Sequence, residues 1–195
     1  MNQGNAAYWK RPSVEPLRAL VQSQLDANNW QECLDACRAL LRAVPRHHFA
    51  LESQATALLQ LGRVDEASDA VARLVELSPR DPFHRLRFAT LLQMRGRHGE
   101  SLREFERVAQ MYPDEPFSGD AREAVENLDR LQTSQIFLMA AEQLPFRWLL
   151  ERNPLEALEQ NGFYLSENGL DSLKQMIPGF DEDALGEAGG APKTH

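Results

Sequence analysis

Apolar residues recur at three- and four-residue steps along most of the chain, a period that predicts α-helices. The stretch "LGRVDEASDAVARLVELSPRDP", residues 61–82, shows the pattern in full. Its Ala67, Ala70, Val71 and Leu74 fall on one helical face. The proline that follows ends the helix, because proline cannot continue the hydrogen-bond ladder. The pattern predicts an all-α fold.

The same pattern returns with a period of 34 residues. Pro45, Pro79 and Pro113 are each 34 residues apart, and they align three successive units of the chain. The units are 14–47, 48–81 and 82–115. Repeats of this length are typical of helical arrays, in which each unit buries its apolar face only against its neighbours.

Two positions of the repeat predict that each unit folds into a hairpin of two helices. One position carries residues that tolerate a positive φ, as a tight helix exit requires: Asn28, Gly62 and Gly96. Another carries small residues, which let two helices approach closely: Cys33, Ala67 and Ser101. We therefore expect two helices and a short turn in every unit.

The repeat resembles the tetratricopeptide repeat family. The resemblance rests on Gly62, Ala67, Leu74 and Pro79 and their equivalents one period later, and it covers roughly half of the chain. It implies a right-handed α-solenoid built from helix hairpins. The aromatic residue that the family carries at the start of the second helix is kept only in the first unit, as Trp30.

Outside the repeats the pattern changes twice. Residues 116–144 keep the helical steps without a break and predict one long capping helix, since the last repeat would otherwise expose its apolar face. Residues 145–179 predict a small helical module. Residues 1–13 form an N-terminal extension, and residues 180–195, which are rich in acid and glycine, predict a disordered tail.

The C-terminal module carries its own helix signals. Asn153 can cap a helix that starts at Pro154, and Ser166 can cap the next one. The stretch "FRWLLERNPLEALEQNGFYLS" resembles a helical module in leaders of peptide precursors of the nitrogen-fixation and nitrile-hydratase-derived types, and in the small subunit of extradiol ring-cleaving dioxygenases. The matching residues are Phe146, Arg147, Leu150, Pro154, Ala157, Leu158, Gly162 and Leu165.

Composition narrows the classes of partner. The net charge is −8, with 43% hydrophobic and 26% charged residues, so the acidic balance disfavours nucleic acid and anionic membranes as partners. No apolar run approaches the roughly 20 residues that a membrane span needs. The N-terminus lacks the apolar stretch of a signal peptide, so we expect a cytoplasmic protein.

No motif in the sequence indicates catalytic, metal or cofactor chemistry. The five histidines lack metal-ligand spacing, and there is no G-x-S-x-G, P-loop or G-x-G-x-x-G pattern. Cys33 and Cys37 share one helix face and are expected to be buried apolar residues. We therefore expect neither an enzyme nor a bound metal or cofactor.

The tetratricopeptide resemblance implies a concave groove lined by the first helix of each unit. Hydroxyl and amide side chains there could bond a peptide backbone, while apolar ones offer packing contacts. The implied groove residues are Arg18, Gln22, Phe49, Glu52, Ser53, Thr56, Gln60, Phe83, Arg87, Thr90, Gln93 and Met94. Alternatively, Phe49 and Phe83 could fill the joints between repeats. The carboxylate clamp of some family members is expected to be absent, since Phe83 stands where a lysine is needed.

The groove predicts a non-catalytic scaffold or adaptor that binds a protein or peptide partner. The resemblance of the C-terminal module implies two alternatives. The chain could be a precursor or substrate-recognition protein of a peptide-modification pathway, with a processed C-terminal tail. It could also be an accessory subunit of an enzyme complex.

Overall fold

The chain forms ten α-helices and no strand within residues 14–177, the part that the computed structural model describes. The helices are α1 (Glu15–Asp26), α2 (Trp30–Ala43), α3 (His48–Gln60), α4 (Val64–Leu77), α5 (Pro82–Met94), α6 (His98–Met111), α7 (Pro116–Glu142), α8 (Leu144–Arg152), α9 (Pro154–Gln160) and α10 (Glu167–Met176). The predicted all-α fold is confirmed. The N-terminal extension and the acidic tail lie outside the described residues.

Each 34-residue unit contains one pair of helices: α1 and α2, α3 and α4, then α5 and α6. The turn residue of every pair has a positive φ, which is 56° at Asn28, 71° at Gly62 and 72° at Gly96. A left-handed residue ends the first helix abruptly and lets the chain reverse, and glycine or asparagine adopts it at the lowest cost. The repeat phase read from the prolines therefore matches the helix pairs.

The chain divides into two compact units between Leu91 and Leu92, inside α5. Below, the first unit and the second unit are these two compact parts, and the 34-residue segments are called repeats. The core of the first unit is built from α1 to α5, and Cys33 and Cys37 are completely buried in it. Their Sγ atoms are 4.0 Å apart and both thiols are free. Burial raises the pKa of both thiols, so they behave as small apolar core residues, as the sequence predicted.

The second unit holds the long helix and the C-terminal module. α7 runs unbroken over 27 residues, as the sequence predicted. The module has a core of its own, in which Phe146, Leu150, Leu158 and Leu173 pack with Ile136 of α7. The module is therefore both a small core and a layer that docks on the capping helix.

The predicted caps of the module are present. The Asn153 side chain accepts a hydrogen bond from the amide of Glu156 at 3.3 Å, and Ser166 accepts one from the amide of Gly169 at 3.1 Å. Gly162, with a φ of 73°, ends α9. Each cap satisfies amide groups that the first turn of a helix leaves without a partner, so both helices begin where the sequence indicated.

An extended strap, residues 163–166, joins α9 to α10 and lies on α6 and α7. Gln132 of α7 is almost fully buried and pairs with the strap backbone: its Nε2 donates to the carbonyl of Tyr164 at 2.7 Å, and its Oε1 accepts from the amide of Tyr164 at 3.1 Å. The carboxylate of Asp129 accepts from both the amide and the hydroxyl of Ser166. Nothing in the local sequence pattern indicated these contacts, because they join residues more than 30 positions apart.

Candidate functional site

The predicted groove residues of the first unit lie on α1, α3 and α5, and α3 is joined directly to α5. Arg87 donates through Nη2 to the hydroxyl of Thr56 at 3.0 Å. That hydroxyl in turn donates to the backbone carbonyl of Glu52 at 3.0 Å. The two bonds fix the Arg87 guanidinium on the α3 surface while leaving further N–H groups of the guanidinium able to donate.

The contact between α1 and α3 is a cation–π pair. The guanidinium carbon of Arg18 lies 5.5 Å from the centre of the Phe49 ring. An exposed pair of this kind contributes about 0.5–1 kcal/mol. Arg18, Phe49, Glu52, Thr56 and Arg87 thus form a continuous set across three helices, which we call the cross-helix strip.

The exposure of the groove residues separates those that can reach a ligand from those that cannot. Phe83 is 66% exposed, whereas Ser53 is only 3% exposed and its side chain is buried. The remaining groove residues of the first unit are exposed or half-buried: Arg18, Gln22, Phe49, Glu52, Thr56, Gln60, Arg87 and Thr90. The burial of Ser53 differs from its predicted place on the groove surface, and the reason is that α3 turns this position inward.

Phe49 and Phe83 therefore differ in their surroundings. Phe49 is half-buried against the first-unit core, which agrees with a joint-filling role, and it also carries Arg18 on its face. Phe83 presents most of its ring to solvent. Gln93 and Met94 form the last turn of α5, past the boundary of the first unit, and Met94 is 60% exposed.

Arg87 is the half-buried cation of the strip, whereas Arg18 is exposed. Burial lowers the pKa of the Arg87 guanidinium, and the nearby Glu52 carboxylate opposes that shift. An arginine remains charged at neutral pH under such conditions, so the strip holds a half-buried cation beside a carboxylate. A cation in this setting can bind a carboxylate or a peptide carbonyl more strongly than a fully solvated one.

Two histidines, His84 and His47, have structural roles at the edge of the strip. His84 Nε2 lies 3.8 Å from Glu52 Oε1 and 3.6 Å from Asp81 Oδ2, and its ring stacks with that of His48 at 6.3 Å between centres. His47 caps α3 by accepting from the amide of Ala50 at 3.3 Å. The sequence position of His84 could have placed it at the edge of the groove, because it directly follows the predicted groove residue Phe83.

Within residues 14–177, no three histidine, cysteine or acidic side chains converge in a way that could ligate a metal ion. In the same range, no helix has the length and apolar character that crossing a membrane requires. The chemistry available to the strip is that of hydrogen bonds, charge and aromatic packing.

A family model described as tetratricopeptide repeat matches residues 18–82. Over this third of the chain the sequence is similar to the tetratricopeptide repeat family. The match spans the helix pairs of the first two repeats and ends at the start of α5, so it includes most of the cross-helix strip. The third pair continues the same tetratricopeptide period beyond the matched residues.

Solved tetratricopeptide structures share the fold at low sequence identity. The Yersinia enterocolitica type III secretion chaperone SycD, in complex with a peptide of the translocator YopD, is 15% identical over 61% of this chain and 94% of its own, with a TM-score of 0.53. PcrH from Pseudomonas aeruginosa is 16% identical over 59% of this chain and 90% of its own, with a TM-score of 0.50.

A third similar structure is the first tetratricopeptide domain of Spaghetti (RPAP3) bound to an HSP90 peptide. It is 16% identical over 59% of this chain and 92% of its own, with a TM-score of 0.50. No curated protein sequence matches the chain significantly. The similarity to leader and dioxygenase-subunit modules stays a prediction for residues 145–179.

Proposed function

We propose that the chain is a non-catalytic, cytoplasmic adaptor that binds a peptide segment of a partner protein along the cross-helix strip. Binding alone is the mechanism. The observation that carries the proposal is the bond from Arg87 to Thr56, because it sets a half-buried cation on the surface that the repeats share. Phe83 and Thr90, both exposed on α5, extend that surface.

The proposal is supported by the match between these groups and the needs of a bound peptide. A peptide in an extended form offers backbone donors and acceptors, which hydroxyl and guanidinium groups can bond, and side chains that pack on an aromatic ring. Arginine and aromatic residues are the types that most often dominate binding energy at interfaces. The solved structures of SycD and of the Spaghetti domain each hold a peptide, which agrees with this use of the fold.

The proposal is tested by removing exposed contacts without touching the core. Peptides selected by the wild-type chain from a random dodecapeptide display library are the probe. Replacing Phe83 and Thr90 together by alanine should weaken their binding by about tenfold or more, the loss expected when a central aromatic contact is removed. The melting temperature should stay within about 1–2 °C, because neither side chain is buried. Isothermal titration calorimetry and thermal melts provide the two measurements.

The matched control is Met111→Ala. Met111 is 44% exposed, so this variant removes a large apolar side chain from an exposed position on α6. It should leave peptide affinity unchanged. Equal losses in the double variant and in the control would place the binding surface away from the strip.

A further inference from the structure

The second unit carries an open groove of its own along α7. Between α7 and α10 the groove holds about 680 Å³, and it continues between α7 and α8 for about 410 Å³. The two parts share Phe137 and Met176, so they form one groove, which we call the α7 groove. Its α7 wall extends from Glu126 to Ala141, which is about 22 Å at 1.5 Å per residue.

The middle and one end of the α7 groove are apolar. Phe137 is 37% exposed and Met176 is 57% exposed, and both side chains line the groove. Ala140, Leu150 and Ile177 continue this lining beside α8. Methionine adapts its shape to irregular partners, and apolar side chains gathered in an open groove are typical of a binding site. A ligand that fills the groove must therefore bring an apolar face.

The walls of the groove favour a helix over an extended peptide. They belong to α7, α8 and α10, and the backbone groups inside a helix are already paired with one another. The hydroxyl of Ser134 donates to the carbonyl of Arg130 at 2.9 Å, and that of Ser172 donates to the carbonyl of Asn168 at 2.8 Å. An extended peptide would bury backbone groups without partners here, whereas a helix satisfies its own.

The other end of the groove is acidic. Glu126 and Asp129 line both the groove and an adjoining pocket of about 320 Å³ between α6, α7 and the start of α10. At this end four carboxylates face two guanidinium groups. These charged residues are Glu106, Glu126, Asp129 and Glu167 against Arg122 and Arg130.

The negative charge at the acidic end is only partly compensated. Glu126 and Glu167 are exposed, and neither carboxylate forms a hydrogen bond or ion pair with another described residue. Burial raises the pKa of Asp129, and the nearby Glu126 charge adds to that rise. At the opposite end Arg147 pairs with Glu151 at 3.0 Å, so the charge there is balanced. The groove therefore favours positive charge at one end only.

We propose that the α7 groove binds an amphipathic helix of a partner protein that carries lysine or arginine at one end of its apolar face. The basic residues would pair with Glu126 and Glu167, and the apolar residues one to three turns further along would pack on Phe137 and Met176. A small cation would gain nothing from the apolar part, and an acidic or uncharged helix would gain nothing from the carboxylates.

The chain's own last residues have the wrong charge for the acidic end. Residues 178–195 carry one lysine and four acidic residues: Asp181, Glu182, Asp183 and Glu187 against Lys193. The chain as a whole has a net charge of −8, which also disfavours a second copy. The groove lies in the second unit, so this site is independent of the cross-helix strip.

The test uses a display library of helical peptides, about 15 residues long to match the groove, with one face randomised. Selection on the wild-type chain should enrich helices with lysine or arginine at one end and leucine, phenylalanine or methionine beyond it. Met176→Gln should weaken the selected helices by about tenfold, the loss expected when a large apolar contact becomes polar. Fluorescence anisotropy measures affinity, and the melting temperature should stay within about 1–2 °C.

Met111→Gln is the matched control for this substitution. Met111 and Met176 are the last residues of α6 and α10, and they are 44% and 57% exposed. Only Met176 lines the α7 groove, so Met111→Gln should leave helix affinity unchanged. Equal weakening by both variants would overturn the proposal.

Charge reversal tests the acidic end. Glu126→Lys should weaken the selected helices about fivefold or more, and it should strengthen versions in which glutamate replaces their basic residues. Glu123→Lys is the control, because Glu123 is an exposed residue of α7 outside the groove lining. Equal effects of the two reversals would reflect total charge alone and would overturn the proposal, as would selected helices without a basic end.

Two further outcomes bear on the occupant. The proposal is wrong if no library helix distinguishes wild type from Met176→Gln. It is also wrong if light scattering shows a wild-type dimer that becomes a monomer in Met176→Gln, because a second copy would then fill the groove. The Phe83→Ala and Thr90→Ala double variant should bind the selected helices as wild type does, so failure at this site and failure at the cross-helix strip are measured separately.

Discussion

The residue with the most informative electrostatics is Glu106 of α6. Its carboxylate accepts from the Tyr164 hydroxyl at 2.8 Å, and that bond ties the strap to α6. Burial raises the pKa of Glu106 above its ordinary 4.5, and the Asp129 charge adds to the rise, while the Tyr164 bond and Arg103 oppose it. The carboxylate is therefore easier to protonate in the folded chain than in the unfolded chain.

This shift predicts how stability depends on pH. Because the folded pKa lies above the unfolded one, the stability that Glu106 contributes is fully present below about pH 4.5 and is lost as pH rises through the folded pKa. Glu106→Gln keeps an acceptor for Tyr164 and does not titrate. We expect the melting temperature of the variant, relative to wild type, to rise between pH 4.5 and pH 7.5. Thermal melts across this range measure the difference.

Glu123→Gln on the exposed face of α7 is the control, since it removes the same charge from a solvated position. Its difference from wild type should change little over the same range. A Glu106 difference that shrinks as pH rises would show that the Tyr164 bond and Arg103 outweigh burial.

At this scale the sequence predicted what depends on a few neighbouring residues. The φ of Asn28, Gly62 and Gly96 followed from turn chemistry inside each hairpin, and the Ser166 cap followed from its place before α10. The burial of Ser53 could not be predicted, because it depends on which side of α3 faces the rest of the first unit.

At the scale of elements, the strap and α6 approach so closely that only glycine fits between them. A Cβ added at Gly99 of α6 would lie 2.9 Å from the carbonyl oxygen of Gly162 and 3.0 Å from the amide nitrogen of Tyr164. Both atoms belong to the backbone and cannot move without displacing the strap. The absence of a side chain at Gly99 is therefore what allows the module to dock on α6.

Gly99→Ala should destabilise the second unit by about 1–3 kcal/mol, the usual cost of forcing a methyl group into a packed contact. Hydrogen exchange should accelerate in the amides of residues 144–177 and not in those of α1 to α4. Gly119→Ala is the control, because Gly119 lies in α7 with no atom within 4 Å of an added Cβ. It should be neutral or stabilising through helix propensity. Unchanged protection of the module in Gly99→Ala would mean that the strap can yield.

The bounds of elements were largely predictable, whereas the pairing of elements was not. Helical steps, prolines and caps are local signals, so α7, α9 and α10 appeared in the sequence close to their observed bounds. Gln132 had no such signal. It lies among apolar positions of a long helix, and only the strap 32 residues away explains a buried amide there.

For the whole molecule, the repeat period predicted three hairpins, and the structure divides the chain inside the third one. The two cores explain that division. One is assembled from α1 to α5 and the other from α7 to α10, and no described residue belongs to both. The repeat period in the sequence predicts the number of hairpins. The packing contacts between hairpins decide which of them fold together as one cooperative unit.

This division predicts that peptide binding reports on one unit only. Leu40 and Leu173 are both fully buried, one in each core, so alanine at either position should cost about 2–5 kcal/mol. The cross-helix strip lies in the first unit. Library-selected peptide should therefore dissociate from the Leu40→Ala variant at a lower urea concentration than from wild type. From the Leu173→Ala variant it should dissociate at the same urea concentration as from wild type. Fluorescence titration at each urea concentration makes the measurement.

Loss of binding at the same reduced urea concentration in both variants would show that the two units unfold as a single cooperative block. A cavity in either core would then lower the free energy of unfolding on which the strip depends.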